Sequence, residues 1–108
     1  MKPCMIYMTA GSPEEARAIG KALVSERLAA CVNIIEGMNS LYWWKGEVQE
    51  DNEVVVIAKT RQSLVPELSE RVKEIHGYDC PCVVALPITD GFQPFLDWIS
   101  EETKKGMA

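Results

Sequence analysis

Histidine is nearly absent: His76 is the only one in 108 residues. Long apolar runs are missing too. No stretch approaches the roughly 20 residues that a membrane-spanning helix needs, so no membrane partner is expected. Positive charge is scarce. Eleven Lys and Arg stand against sixteen Asp and Glu, a formal net charge of −5. Phosphate binding needs clustered Lys and Arg, so nucleic acid is not an expected partner. There is no Gly-rich phosphate loop, no nucleophile elbow and no Cys–His pair with an orienting third group. The chain is therefore not expected to be an enzyme. The N-terminal stretch lacks a full signal-peptide core and a small-residue cleavage site. Cytoplasmic residence follows as an expectation, with Cys4, Cys31, Cys80 and Cys82 as free thiols.

What is present is an ordinary globular composition. Apolar residues at 47% and charged residues at 25% are too apolar for disorder. No linker, low-complexity tract or short repeat divides the chain, so residues 1–108 read as one domain. Residues 3–9 read as a strand, with Ile6, Tyr7 and Met8. Ser12-Pro13-Glu14-Glu15 is a helix start: Ser12 can cap, Pro13 suits the first turn, and Glu15 completes a capping box. Ala16, Ile19, Leu23 and Val24 recur at helical spacing over about 15 residues. Residues 31–44 form an unusually long extended stretch, which Gly37 is expected to bulge or bend. Lys45-Gly46-Glu47 begins a turn. Residues 53–59 are apolar on both faces, as a covered central strand would be. Thr60 is a plausible cap for a second helix bearing Leu64, Leu68, Val72 and Ile75, and Gly77 reads as its left-handed stop. Residues 83–88 form a fourth strand. Thr89-Asp90-Gly91 then turns into a last helix with Phe92, Phe95, Leu96 and Ile99.

The predicted architecture is α+β, a ferredoxin-like βαββαβ antiparallel sheet with both helices on one face and an extra C-terminal helix. That layout leaves one sheet face bare. Yet the third strand is apolar on both sides, and the second, an edge strand, ends in Tyr42, Trp43 and Trp44. A long aromatic edge invites pairing with another chain. Self-association resolves both problems. Alternation sends Trp43 to one side of the strand and Tyr42 and Trp44 to the other, and packing between copies is their expected use.

Several separated blocks then agree, in order and nearly end to end, with one family. They are Glu26-Arg27-Leu28-Ala29-Ala30-Cys31-Val32-Asn33-Ile34, Ser40-Leu41-Tyr42-Trp43-Trp44-Lys45-Gly46, Lys59-Thr60, His76-Gly77-Tyr78-Asp79-Cys80-Pro81, Leu86-Pro87-Ile88 and Phe95-Leu96-Asp97-Trp98-Ile99. The sequence resembles the CutA, or divalent-cation tolerance, family. The resemblance implies a ferredoxin-like homotrimer, similar in architecture to the PII signalling proteins, and a link to tolerance of copper and other divalent metals. It also implies that copper or another divalent metal is the cofactor to consider, though no essential one is expected. In some members copper is attributed to positions that correspond here to Met8, Ile75 and His76.

The residues themselves offer two candidate sites. Cys80-Pro81-Cys82 lies close to His76 in the chain, and thiolates with imidazole suit soft ions. With Met8 as a soft thioether, His76, Cys80, Cys82 and Met8 make the candidate metal set. The plainer alternatives are that a free Cys is a small buried hydrophobe and that a His at a helix end serves the helix dipole. The second candidate is an intersubunit pocket for a small anionic ligand. Lys59-Thr60 would stand beside a helix N-terminus, with Tyr42, Glu53 and Tyr78 in the walls. Three functions compete: a metal-tolerance trimer, a PII-like module binding that anion, and a trimeric scaffold with no ligand.

Overall fold

Alternation along two strands sets the core, which lies between the sheet and two helices. The computed structural model describes residues 1–105. Its elements are β1 (Pro3–Ala10), α1 (Pro13–Ser25), β2 (Cys31–Trp44), β3 (Glu47–Arg61), α2 (Val65–Ile75), β4 (Val83–Pro87) and α3 (Gln93–Glu102). The strand order is β2-β3-β1-β4, and every neighbouring pair is antiparallel. Ile6, Met8 and Ala10 of β1 pair in register with Ala58, Val56 and Val54 of β3. All six are buried with Ala16, Ile19 and Leu23 of α1 and Leu68 and Val72 of α2. Both of these helices therefore cover the same face, as expected. Deleting the bulk of a fully buried residue such as Ile19 or Leu23 would cost about 2–5 kcal/mol. Gly20 lets α1 approach the sheet, because a Cβ there would stand 3.1 Å from Cγ1 of Val32.

α1 starts where expected, but only half of the expected capping box forms: the Glu15 carboxylate accepts from the Gly11 and Gly77 N–H groups instead of returning to Ser12. Ser12 Oγ accepts from the Glu15 backbone N–H, and Pro13 fills the first turn. α2 does not start where expected. Thr60 is no helix cap: β3 runs on through Arg61, and a 3-10 turn (Gln62–Leu64) precedes the helix. Thr60 faces the core instead, and its hydroxyl donates to the Leu28 carbonyl at 2.7 Å. Nor is Gly77 a left-handed stop. Among the described residues the glycines with positive φ are Gly37 and Gly46, and α2 ends because His76 turns extended (φ −83, ψ 143).

The register of β2 against β3 shifts between Ile35 and Met38, where Gly37 has φ +82. This is the expected bulge. Beyond it the two strands leave β1 behind, since β1 pairs with β3 only as far as Val54. Residues 38–52 thus form a two-stranded ribbon. Trp44 pairs with Glu47 across Lys45 and Gly46, both at positive φ (+50 and +80), the signature of a type I′ hairpin turn.

α3 packs against β1 and β3 and buries Ile99 completely. Arg61 fixes it, donating from Nε to Thr103 Oγ1 (2.9 Å) and from Nη2 to the Ser100 carbonyl. The helix does not cover the whole second face. Val84 and Leu86 of β4 and Ile35 of β2 remain exposed. On the ribbon, Leu41 is 65% and Trp43 75% exposed.

Candidate functional site

The side of β1 turned away from α1 and α2 carries Tyr7 and Thr9. Past the bulge, the ribbon adds Met38, Ser40, Tyr42 and Trp44. The loop from α2 to β4 supplies Tyr78, Asp79, Cys80 and Cys82. These residues and Glu53 of β3 line one cleft of about 590 Å³.

His76 anchors the loop that closes the cleft. Its side chain is fully buried. Nδ1 accepts from the Tyr78 backbone N–H at 3.0 Å, which leaves the ring proton on Nε2 to donate to the Thr9 carbonyl at 2.7 Å. The imidazole packs on the Tyr78 ring with centroids 4.5 Å apart. Glu15 ties the same loop to α1, accepting from the Gly77 N–H through Oε2 and from the Gly11 N–H through Oε1.

Carboxylates hold the phenols of the cleft. Tyr78 donates to Glu53 Oε2 at 2.9 Å, and Tyr42 donates to Asp51 Oδ2 at 2.5 Å. Burial, then the hydrogen bond and negative charge of Glu53, push the Tyr78 phenol well above its usual range. The hydrogen bond to Asp51 raises Tyr42 in the same direction. The Cys82 thiol is raised too, first by burial and then by Glu53 and Cys80. At neutral pH these groups are protonated and uncharged, while the carboxylates set the sign of the field.

The four residues expected around a metal do not come together. Met8 is fully buried in the core under the helices. Both ring nitrogens of His76 are already hydrogen-bonded. Among the described residues, no three His, Cys, Asp or Glu side chains are grouped to hold an ion. The copper set that the resemblance implied at Met8 and His76 therefore does not fit. Cys80 and Cys82 do share the cleft. Of the pocket residues, Tyr42, Glu53 and Tyr78 are united, but Lys59 does not line the cleft. It lies six residues beyond Glu53 on β3, about 20 Å along an extended strand, where Nζ donates to Asn33 Oδ1 at 2.9 Å. With β3 continuing through Arg61, the helix N-terminus expected beside Lys59 is absent as well. Sequence reasoning missed Tyr7, Thr9 and Met38. Strand alternation carried the signal for the first two, since Ile6 and Met8 face the helices. The same alternation, counted from Gly37, puts Met38 beside Tyr42 and Trp44.

Comparisons with known proteins agree with the fold. Residues 4–102 match the family described as CutA1 divalent ion tolerance protein. The divalent-cation tolerance protein CutA of Thermus thermophilus is 52% identical over 99 residues, covering 92% of this chain and 96% of the relative. The crystal structure of CutA1 from Oryza sativa superposes with a TM-score of 0.95 at 42% identity, covering 98% of this chain and 97% of that one. The Archaeoglobus fulgidus protein, described as the periplasmic divalent cation tolerance protein CutA, gives a TM-score of 0.91 at 43% identity, covering 94% and 99%. None of these names states a reaction.

Proposed function

The chain belongs to the CutA1 divalent ion tolerance family, and we propose that it acts as a homotrimer in the response to divalent metal ions. The observation that carries this reading is the apolar surface left outside the core. Ile35, Val84 and Leu86 are exposed on the second sheet face, and Leu41, Trp43 and Val48 on the ribbon. By strand alternation the ribbon set lies on the side opposite the first. Exposed apolar surface of this kind marks interaction sites, and a short chain gains stability by burying it between copies. Tyr42, Trp43 and Trp44 sit at the interface in this reading.

Analytical ultracentrifugation tests it. The expected mass is three times the 12.1 kDa of the chain, and Trp43→Ser should weaken the assembly while leaving the secondary structure intact. A folded particle of single-chain mass at dilute concentration would overturn the proposal.

Soft metal, where bound, falls to the thiol pair. Cys80 and Cys82 line one cleft with the carboxylates of Glu53 and Asp79, and thiolates select Cu(I) or Zn. Titration with Cu(I) should show binding that disappears when both cysteines become Ser; binding unchanged in that variant would refute the assignment. The rival reading, a small anionic ligand, is disfavoured by these carboxylates and by the distance of Lys59. Cytoplasmic residence belongs to the same proposal, and cell fractionation tests it. No helix among the described residues is long and apolar enough to cross a membrane.

A further inference from the structure

Aromatic rings and unbalanced carboxylates share the walls of the cleft. We propose that the cleft binds a small organic cation, an ammonium group carried on an apolar or aromatic body. No Lys, Arg or His is among its lining residues. Glu53 and Asp79 bring two carboxylates, and neither enters a salt bridge among the described residues. Glu53 uses Oε2 for the Tyr78 hydroxyl, and Oε1 enters no hydrogen bond among the described residues. That oxygen is free to meet a positive charge.

The walls supply the rest of the recognition. Tyr7, Tyr42, Trp44 and Tyr78 all contribute rings. The face of an aromatic ring attracts a cation, most strongly for Trp and where water is excluded. The chain already does this once: the Lys45 ammonium stands 5.8 Å from the centroid of the Trp44 ring. Since Glu53 keeps Tyr78 hydrogen-bonded, its oxygen is held against the ring that would pack on the ligand's body. A volume of about 590 Å³ lies within the range of small-molecule sites, roughly 300–1,000 Å³. An anion would meet two carboxylates here. A bare metal ion would find no grouped set of three donors, and would gain little from four rings.

The probe is benzyltrimethylammonium, titrated calorimetrically into the full chain, with benzoate and benzyl alcohol as controls of similar shape. The expected result is saturable binding of the cation alone, weakened by added salt. Glu53→Gln keeps a hydrogen-bond acceptor for Tyr78 but removes the charge, and should lower affinity about tenfold or more. Trp44→Leu should do the same by removing a ring. Lys59→Gln, remote from the cleft, should leave affinity unchanged. Equal binding of benzoate or benzyl alcohol, an affinity indifferent to Glu53→Gln in a folded sample, or no saturable binding would overturn the proposal. Tyr42 and Trp44 also belong to the proposed interface, so the mass of each sample is measured beside its affinity, and a loss in Trp44→Leu counts only where the mass is unchanged. The cleft is lined by one chain, so a cation-binding sample of single-chain mass supports it and overturns only the trimer.

Discussion

Glu15 and Gly77 lie 62 positions apart in sequence, yet the carboxylate of one accepts from the backbone N–H of the other at 2.9 Å. The same side chain also takes the Gly11 N–H, so one residue of α1 secures two loops. Glu15→Ala should cost about 1–2 kcal/mol, the lower part of the range for a charged acceptor because both donors are exposed. Gly77→Ala should cost a similar amount, since its Cβ would stand 2.8 Å from Oε2 and push the carboxylate away. Urea denaturation midpoints measure both.

His76 should prove structural before anything else. His76→Phe leaves the Thr9 carbonyl and the Tyr78 N–H without the partners they now have. A loss of about 2–4 kcal/mol is expected. Because neither ring nitrogen is free for an ion, the loss should be the same with and without a chelator. Chemical denaturation in both conditions checks this.

Tyr78 gives the molecule an alkaline limit. Its folded pKa is raised, by burial first and by Glu53 second. Above the ordinary Tyr value near pH 10, the unfolded chain releases a proton that the folded chain keeps. Stability contributed by this group is therefore whole below about pH 10 and is lost as pH rises through the folded value. Tyr78→Phe has no proton to release, so its urea midpoint should fall less steeply above about pH 10 than that of the unaltered chain. Parallel slopes would refute the attribution.

The hairpin tip isolates a backbone effect. Gly46 has φ +80, and nothing lies within 4 Å of where its Cβ would be. Gly46→Ala should therefore destabilise through conformation alone, by about 1–2 kcal/mol. Thermal unfolding reads the shift, and Gly46→Asn, whose side chain tolerates left-handed backbone better, should recover part of it.

The fold was legible in the sequence wherever a local rule and the core agreed. Ser12, Pro13 and Glu15 placed the start of α1, and Gly37 placed the bulge. Apolar residues on both sides of residues 53–59 placed β3 at the centre. The rule failed at Thr60 and Gly77 for a shared reason. A hydroxyl residue before a helix and a glycine after one are statistical signals, and tertiary contacts outbid both. Thr60 is pulled into the core by the Leu28 carbonyl, and His76 is turned outward from its helix by Thr9 and Tyr78. The cleft was half legible. Tyr42, Glu53 and Tyr78 stood out as polar aromatics and a charge near turns. Lys59 was misplaced because an early end to β3 would have put it at a helix mouth. Met8 and His76 were misassigned because sequence spacing does not reveal that one lies beneath the helices and the other has both nitrogens engaged.

Residues 38–52 have strand partners on one side only: each strand of the ribbon pairs with the other, and neither pairs with β1, which reaches the arm only through the Tyr7 hydroxyl on Met38. A pair of strands without a third, and without a layer beneath, is barely stable in water. In an isolated copy, the amide hydrogens of this arm should be among the first to exchange with solvent. Once a neighbour lies against Trp43 and Leu41, that exchange should slow. The arm would then report on the company the chain keeps: loose when alone, set when joined.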